Sequence, residues 1–300
     1  MTTSGGPLDD ETRLRLRIFE QLEERTTELG GFLTRTELSD FDIGGGQRRR
    51  LIDMSKGIWN PRDLDATLTI VSSPNGPYAD REVEGGYFRY DYRAGSLDGD
   101  NKKLRTAYQQ GVPLILLRKI TGGVYVPIFP VYVVGDDRNS RQFLIALDEA
   151  LRFLGNPLDP SPLEKRYAQQ ITKRRLHQPM FRGIVIRAYE VRCAVCRLQH
   201  GELLDAAHII PDVDDQGVPL VTNGLSLCKI HHAAFDRNLM GITPDYLVEI
   251  NSALLAEKDG PMLKHGLQEM HNTAISLPVR AKDRPNREAL ANRYEAFLAS

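Results

Sequence analysis

Cys193-Ala-Val-Cys196, Leu204-Asp205-Ala206-Ala207-His208-Ile209-Ile210-Pro211, Asn223-Gly224-Leu225-Ser226-Leu227-Cys228 and Lys229-Ile230-His231-His232-Ala233-Ala234-Phe235-Asp236 form the stretch on which the reading of this chain turns. All three cysteines of the 300-residue sequence fall within it. With a histidine they make two pincers, Cys193-x-x-Cys196 and Cys228-x-x-His231, at the spacing that tetrahedral zinc accepts. Four protein ligands close the coordination shell, so the expected Zn2+ is structural. Free cysteines are ordinarily just small buried apolar residues, but a paired spacing that consumes every cysteine favours metal. Their odd number also argues against a disulfide framework.

Between the pincers, the apolar run ahead of His208 and the proline at 211 predict a strand that ends at the imidazole. Asn223-Gly224 reads as a turn that leads into Leu-Ser-Leu-Cys and then a helix. On that helix His232 and Asp236 are four residues apart, so both project from one face and can grip a divalent ion. An isolated His/Asp pair on a helix is more commonly a surface pair. With His208 opposite it, the pair becomes a candidate metal site, and Asn223 is expected to hold the orientation of the imidazole.

The stretch from Phe181 to Ile242, with Phe181-Arg182, Ala188-Tyr189, both pincers, Ala-Ala-His208-Ile-Ile-Pro, Asn223-Gly-Leu and His232-Ala-Ala-Phe-Asp236, resembles the HNH (ββα-metal) nuclease family. The resemblance implies an endodeoxyribonuclease in which His208 is the general base and Asn223 the orienting residue. It further implies that His232 and Asp236 hold a catalytic divalent metal such as Mg2+ or Mn2+, with Cys193, Cys196, Cys228 and His231 on the zinc. Many members place an acid or a histidine directly before the base as a further ligand, and here that position is Ala207. Asp205 is expected to substitute only if the strand bulges.

A hydrophobic content of 41% in 300 residues is enough for two domains with proper cores. No apolar run reaches membrane-spanning length and the opening Met-Thr-Thr-Ser-Gly-Gly does not read as a signal peptide, so a cytoplasmic protein with reduced cysteines is expected. The net charge of -1 does not by itself mark a nucleic-acid binder, but the charge is uneven. Between residues 162 and 200 nine lysines and arginines face only two glutamates. Beside the HNH motif, that excess reads as a phosphate-facing surface rather than an ordinary solvated helix face.

Ahead of the motif, Leu14, Leu16, Ile18, Phe19 and Leu22 carry helical spacing between about residues 7 and 29, and a second helix start follows at Thr34. Gly44-Gly45-Gly46 lacks the lysine and hydroxyl residue of a phosphate-binding loop, so it reads as a plain loop. From Ala66 to Val134 short β runs, interrupted by a helix near Asn101–Gln110, predict a curved, partly closed barrel. Tyr78, Tyr87, Phe88, Tyr90 and Tyr92 crowd one part of it, which ordinarily means a sheet with a core face.

Asn75-Gly-Pro-Tyr78-Ala-Asp80-Arg81, Gly85-Gly-Tyr-Phe-Arg-Tyr90-Asp-Tyr92 and Asn101-Lys-Lys-Leu resemble, more loosely, the SRA (SET- and RING-associated, PUA-like) domain, which flips modified cytosine out of duplex DNA. The resemblance implies that Tyr78 and Tyr90 stack on the flipped base and that Asp80 reads its Watson–Crick edge. Arg81 stands where that family can carry a second acid.

The expected fold class is thus α+β: an SRA-like curved β-barrel with flanking helices over residues 1–155, a basic helical linker over 156–180, and a ββα-metal nuclease over 181–300. Together these imply a type IV-like restriction endonuclease acting on double-stranded DNA that carries 5-methylcytosine, without a membrane partner. A homodimer is expected, because one HNH site cuts one strand at a time. Two alternatives remain open at this level: a nuclease whose first domain reads unmodified sequence or another modification, and a non-catalytic, zinc-stabilised DNA-binding protein. The helical tail near Arg287–Leu298 carries no assigned chemistry.

Overall fold

The computed structural model describes residues 9–73, 81–82, 87–93, 99–153, 161–212, 214, 217–258 and 260–300, with residues 81 and 82 described in backbone only. Tyr78 and Asp80 therefore lie outside the described residues. Contacts divide the chain into two units, Met1–Thr26 with Phe32–Met180, and Thr27–Gly31 with Phe181–Ser300. The fold is mixed α+β, and the first unit is built on a curled half-barrel sheet.

Across that sheet the strands run Ile58–Trp59, Thr69–Ser72, Leu114–Thr121, Val124–Asp137, Gln142–Ala146, Tyr87–Asp91 and Arg81–Glu82, while Leu33–Thr34 also pairs with Val124–Asp137. All pairings are antiparallel except that of Thr69–Ser72 with Leu114–Thr121. The 14-residue strand is what lets the sheet curl. It pairs on both sides, and register shifts between Leu114 and Leu116 and between Leu144 and Ile145 bend it. Pro127 and Pro130 fall within its first half, where each removes a ladder donor. Gly122-Gly123, with Gly123 at φ 74°, closes the preceding hairpin.

Alternation along Tyr87–Asp91 places Phe88, Tyr90 and Tyr92 in one hydrophobic cluster with Leu114, Val126 and Phe143. Tyr87 joins a second cluster on the opposite face, with Tyr132, Leu144, Ala168 and Ile171. Both faces are therefore covered. The ordinary expectation of one core face and one wet face misses the helix Pro162–Thr172, which supplies Ala168 and Ile171. That helix opens with a Ser161/Glu164 capping box and proline in its first turn. It runs through a π turn, Lys173–His177, into the helix Gln178–Ala188. Residues 161–180 group with the sheet, and Leu176 is buried among Phe88, Tyr90 and Phe143.

The helix Asp10–Glu28 buries Ile18 and Leu22, as its spacing predicts, but leaves Leu16 half exposed and buries Arg15 completely. The guanidinium of Arg15 donates to the carbonyls of Thr67 (3.0 Å), Pro113 (2.7 Å) and Ala66 (3.2 Å) and to Glu11 Oε1 (2.6 Å). A buried charge persists only when it is paired and hydrogen-bonded, and here both conditions are met. Gly44, Gly45 and Gly46 all adopt positive φ, between 64° and 81°, so the triplet is a tight reversal between Phe41–Asp42 and Arg48–Arg49.

In the second unit Leu204–His208 and Gly224–Cys228 form an antiparallel hairpin, followed directly by the helix Lys229–Asp236. Met240–Ile242 pairs with Val248–Ile250, and the helix Arg287–Leu298 closes the chain as its sequence predicts. Phe181, Val185, Ile186, Leu204, Leu225 and Phe235 form the centre of its core. Thr27–Gly31 belongs to this unit by close approach: a Cβ on Gly201 would stand 2.1 Å from the Glu28 carbonyl oxygen and 2.7 Å from Gly30 N. Among the described residues no helix is long and apolar enough to cross a membrane.

Candidate active site and metal centre

The two pincers converge. Cys193, Cys196, Cys228 and His231 present ligand atoms that all lie within 4.8 Å of one another. Cys228 Sγ and Cys193 Sγ stand 3.1 Å and 3.5 Å from His231 Nδ1, and Cys196 Sγ stands 4.0 Å from Cys228 Sγ. Tetrahedral zinc at ordinary bond lengths sets sulfur–sulfur separations of about 3.8 Å and sulfur–nitrogen separations of about 3.5 Å. The four residues can hold a metal ion of that size. The other histidine nitrogen, Nε2, meets the Gly266 carbonyl at 2.8 Å, which puts the proton there and leaves Nδ1 free to coordinate. Arg197, at φ 63°, completes the sharp turn of the first pincer, where its N–H donates to Cys193 O at 3.0 Å.

His208 ends its strand, as predicted, and its ring stacks on Phe181 with centroids 3.9 Å apart and planes 17° from parallel. His208, His232 and Asp236 line one pocket of ≈ 860 Å³, together with Asp212, Asn238 and Arg293. His232 Nε2 lies 3.3 Å from Asp236 Oδ2, a separation at which two ligands of one divalent ion sit. Its Nδ1 turns the other way, to Asp205 Oδ2 at 3.5 Å, and that carboxylate also takes Lys229 Nζ at 2.6 Å. The hydrogen bond from His232, and then Lys229, holds the Asp205 carboxyl well below its ordinary value, at about 2. Reciprocally, Asp205 raises the pKa of His232 against the opposing effect of burial. Carboxylate behind the ring and open nitrogen ahead is the arrangement of a ligating histidine, so the residues present fit a divalent ion.

Ala207 is fully buried opposite Leu225 in an unbroken ladder and supplies no ligand before His208. The strand does not bulge, and Asp205 meets His232 Nδ1 and Lys229 instead of standing in as that further ligand. Asn223-Gly224 is more than a turn. The Asn223 amide donates to Ile210 O (3.0 Å) and Val218 O (3.2 Å) and accepts from Ile210 N (2.9 Å), which fixes the chain just beyond His208. Gly224 has φ -128°, an ordinary extended value, and is glycine for space: a Cβ there would stand 2.3 Å from Val185 Cγ2 and 3.0 Å from Phe181 Cζ. Gly224→Ala should therefore destabilise the second unit by about 1–3 kcal/mol through overpacking. Calorimetry would check this, and an unchanged unfolding temperature would contradict it.

Residues 193–243 match the HNH endonuclease family. The chain carries an HNH endonuclease domain. No curated protein matches it. Among solved structures, the modification-dependent restriction endonuclease TagI aligns over 81% of this chain and 86% of its own, at 17% identity and a TM-score of 0.31. An SRA domain of SUVH5 bound to hemimethylated CG DNA covers 45% of this chain and 94% of its own, at 21% identity and a TM-score of 0.29. The type IV phosphorothioation-dependent restriction endonuclease ScoMcrA covers 69% and 54%, at 17% identity and a TM-score of 0.25.

Around the HNH domain, the structure sorts the basic stretch into two kinds. Arg175 donates to Leu147 O, Phe129 O and Pro130 O, and Arg182 to Gly201 O and Leu204 O, so both are structural. Arg166, Arg174, Arg192 and Arg197 are exposed. In the first unit Tyr90 is only 5% exposed, and its hydroxyl donates to Gly57 O at 2.8 Å. Its ring belongs to the sheet core, so a stacking role would require it to be uncovered. Sequence reasoning missed Arg293 and Asn238 in the HNH pocket. Asn238 lies just past the motif helix Lys229–Asp236, and Arg293 lies on the helix Arg287–Leu298, which carries no motif and reaches the pocket only through tertiary packing.

Proposed function

We propose that the protein is a restriction endonuclease that hydrolyses double-stranded DNA carrying modified cytosine. The observation that carries the nuclease half is the meeting of His208, His232 and Asp236 in one open pocket of the HNH domain. His208 takes the proton of the attacking water, with Phe181 holding its ring plane and Asn223 holding the chain beyond it. His232 and Asp236 would hold a Mg2+ or Mn2+ ion, which supplies Lewis acidity at the scissile phosphate. Asp205 keeps His232 turned toward that position. The Cys193, Cys196, Cys228 and His231 cluster takes zinc, and its four protein ligands leave no open position for chemistry.

The reading half rests on the sequence resemblance of the first unit, with Tyr78, Asp80 and Tyr90 as the pocket for a flipped 5-methylcytosine. Two aromatic faces and an edge-reading carboxylate can offset the few kcal/mol that unstacking a base costs. Since one site cuts one strand, a homodimer on the duplex accounts for double-strand breaks, and reduced zinc-holding cysteines suit a cytoplasmic protein.

Digestion of one plasmid prepared from cytosine-methylating and non-methylating hosts, with Mg2+ or Mn2+, tests both halves. The methylated plasmid alone should be cut. Equal cutting of the two would remove the reader while sparing the nuclease, and no cutting with either metal would remove the nuclease.

A further inference from the structure

We propose that Arg293, on the helix Arg287–Leu298, is a further catalytic residue whose guanidinium binds a non-bridging oxygen of the scissile phosphate. The inference rests on reading the His208, His232 and Asp236 pocket as the cleavage site. Arg293 lines that same pocket although it comes from a helix far downstream of the HNH motif.

Its placement is specific. Asn238, in the left-handed conformation at φ 54° just past the helix Lys229–Asp236, accepts a hydrogen bond from Arg293 Nη1 through Oδ1. The Phe235 carbonyl accepts from Nη2, and the guanidinium carbon stands 4.7 Å from the centre of the Phe235 ring. Phe235 is the residue before Asp236, so Arg293 is tied to the same turn that presents the pocket carboxylate. Two of the guanidinium's five N–H groups are thereby engaged, both with neutral acceptors. Among the described residues no carboxylate stands within ion-pair distance of Arg293; burial lowers its pKa, and the Asp236 carboxylate opposes this only from further off. A partly desolvated cation that is held rigidly and only partly offset by a distant carboxylate is prepared for an anion that arrives with the substrate.

The reaction needs such a group. Water adds to phosphorus and gives its proton to His208. The phosphorus–oxygen ester bond then breaks, and the leaving alkoxide takes a proton from solvent. Negative charge on the non-bridging oxygens rises as the fifth oxygen bonds, and a fixed planar donor pair stabilises it most at that point.

The test measures single-turnover cleavage by the zinc-loaded full chain in Mg2+ or Mn2+, for wild type, Arg293→Ala, Arg293→Gln and, as a control, His208→Ala. Both Arg293 variants should lose about 10²–10³-fold in rate with DNA affinity nearly unchanged. Guanidinium ion at tens of millimolar should restore part of the Arg293→Ala rate and none of the His208→Ala rate, an effect that a merely structural arginine would not give. Arg293→Gln keeps the stem on Phe235, so it carries the test should the alanine variant melt early. Wild-type rates in the variants, or a folded, inactive Arg293→Ala protein that guanidinium does not rescue, would overturn the assignment. An active His208→Ala protein would instead remove the cleavage-site reading itself.

Discussion

His208→Ala should reduce DNA cleavage by about 10²–10⁴-fold, the range a positioned proton acceptor contributes, while leaving the protein folded and able to bind DNA. The imidazole sits at the last residue of its strand and is partly buried, outside the fully buried core residues. Its stack on Phe181 is worth only about 0.5–1.5 kcal/mol to the fold. The backbone pairing with Gly224 and the clamp of the Asn223 side-chain amide on the Ile210 backbone do not involve the imidazole and are untouched by the change. Single-turnover cleavage beside a thermal melt and a binding titration would separate the two effects. Full cleavage by the variant would remove His208 as the base, whereas loss of folding would recast it as a structural residue.

The second large effect concerns the cysteine cluster. Removing its metal with a strong chelator, or replacing Cys228 by serine, should unfold the second unit and leave the first standing. Structural zinc binding contributes roughly 10–16 kcal/mol at neutral pH, more than the whole stability of an ordinary domain. Cys228 is at the junction: it ends the second strand of the hairpin, precedes the helix that carries His231, His232 and Asp236, and donates its own N–H to Cys193 Sγ at 3.3 Å. Without the ion, the buried Cys193, Cys228 and His231 side chains would lose the bonds that tie the two pincers together. Calorimetry of the metal-free protein should keep the first unit's transition and lose the second's. A zinc-free protein with the complete, unshifted melting profile of the zinc-loaded one would contradict the assignment.

What the sequence made legible was local. Pincers two residues apart, an i, i+4 pair on a helix, a strand stopped by proline and the helix start at Thr34 are all decided within one turn or one strand, so the sequence carries them directly. Asn101–Gln110 and Arg287–Leu298 appear where their spacing puts them. Elements decided by distant packing were not legible. Arg15 reads as a surface residue until the carbonyls of residues 66, 67 and 113 are brought to it. Gly224 reads as a turn residue until Val185 and Phe181 occupy the space a side chain would need. Gln142–Ala146 passes unnoticed because its apolar run is short, although it joins the two halves of the sheet. Arg293 belongs to the same class: nothing near it in sequence hints at the pocket it lines.

The short segment Thr27–Gly31 bears on how this protein could have been assembled or could be taken apart. The cutting unit is not a continuous stretch of the chain, since it draws those residues from far upstream and leaves no room for even a methyl group between Gly201 and the backbone of Glu28 and Gly30. A gene fusion or a protein engineer that transplanted residues 181–300 alone would move the catalytic motif without part of its scaffold. The exchangeable module therefore has three boundaries within this sequence, at 26/27, 31/32 and 180/181, and recombination at the last alone would leave the transferred nuclease incomplete.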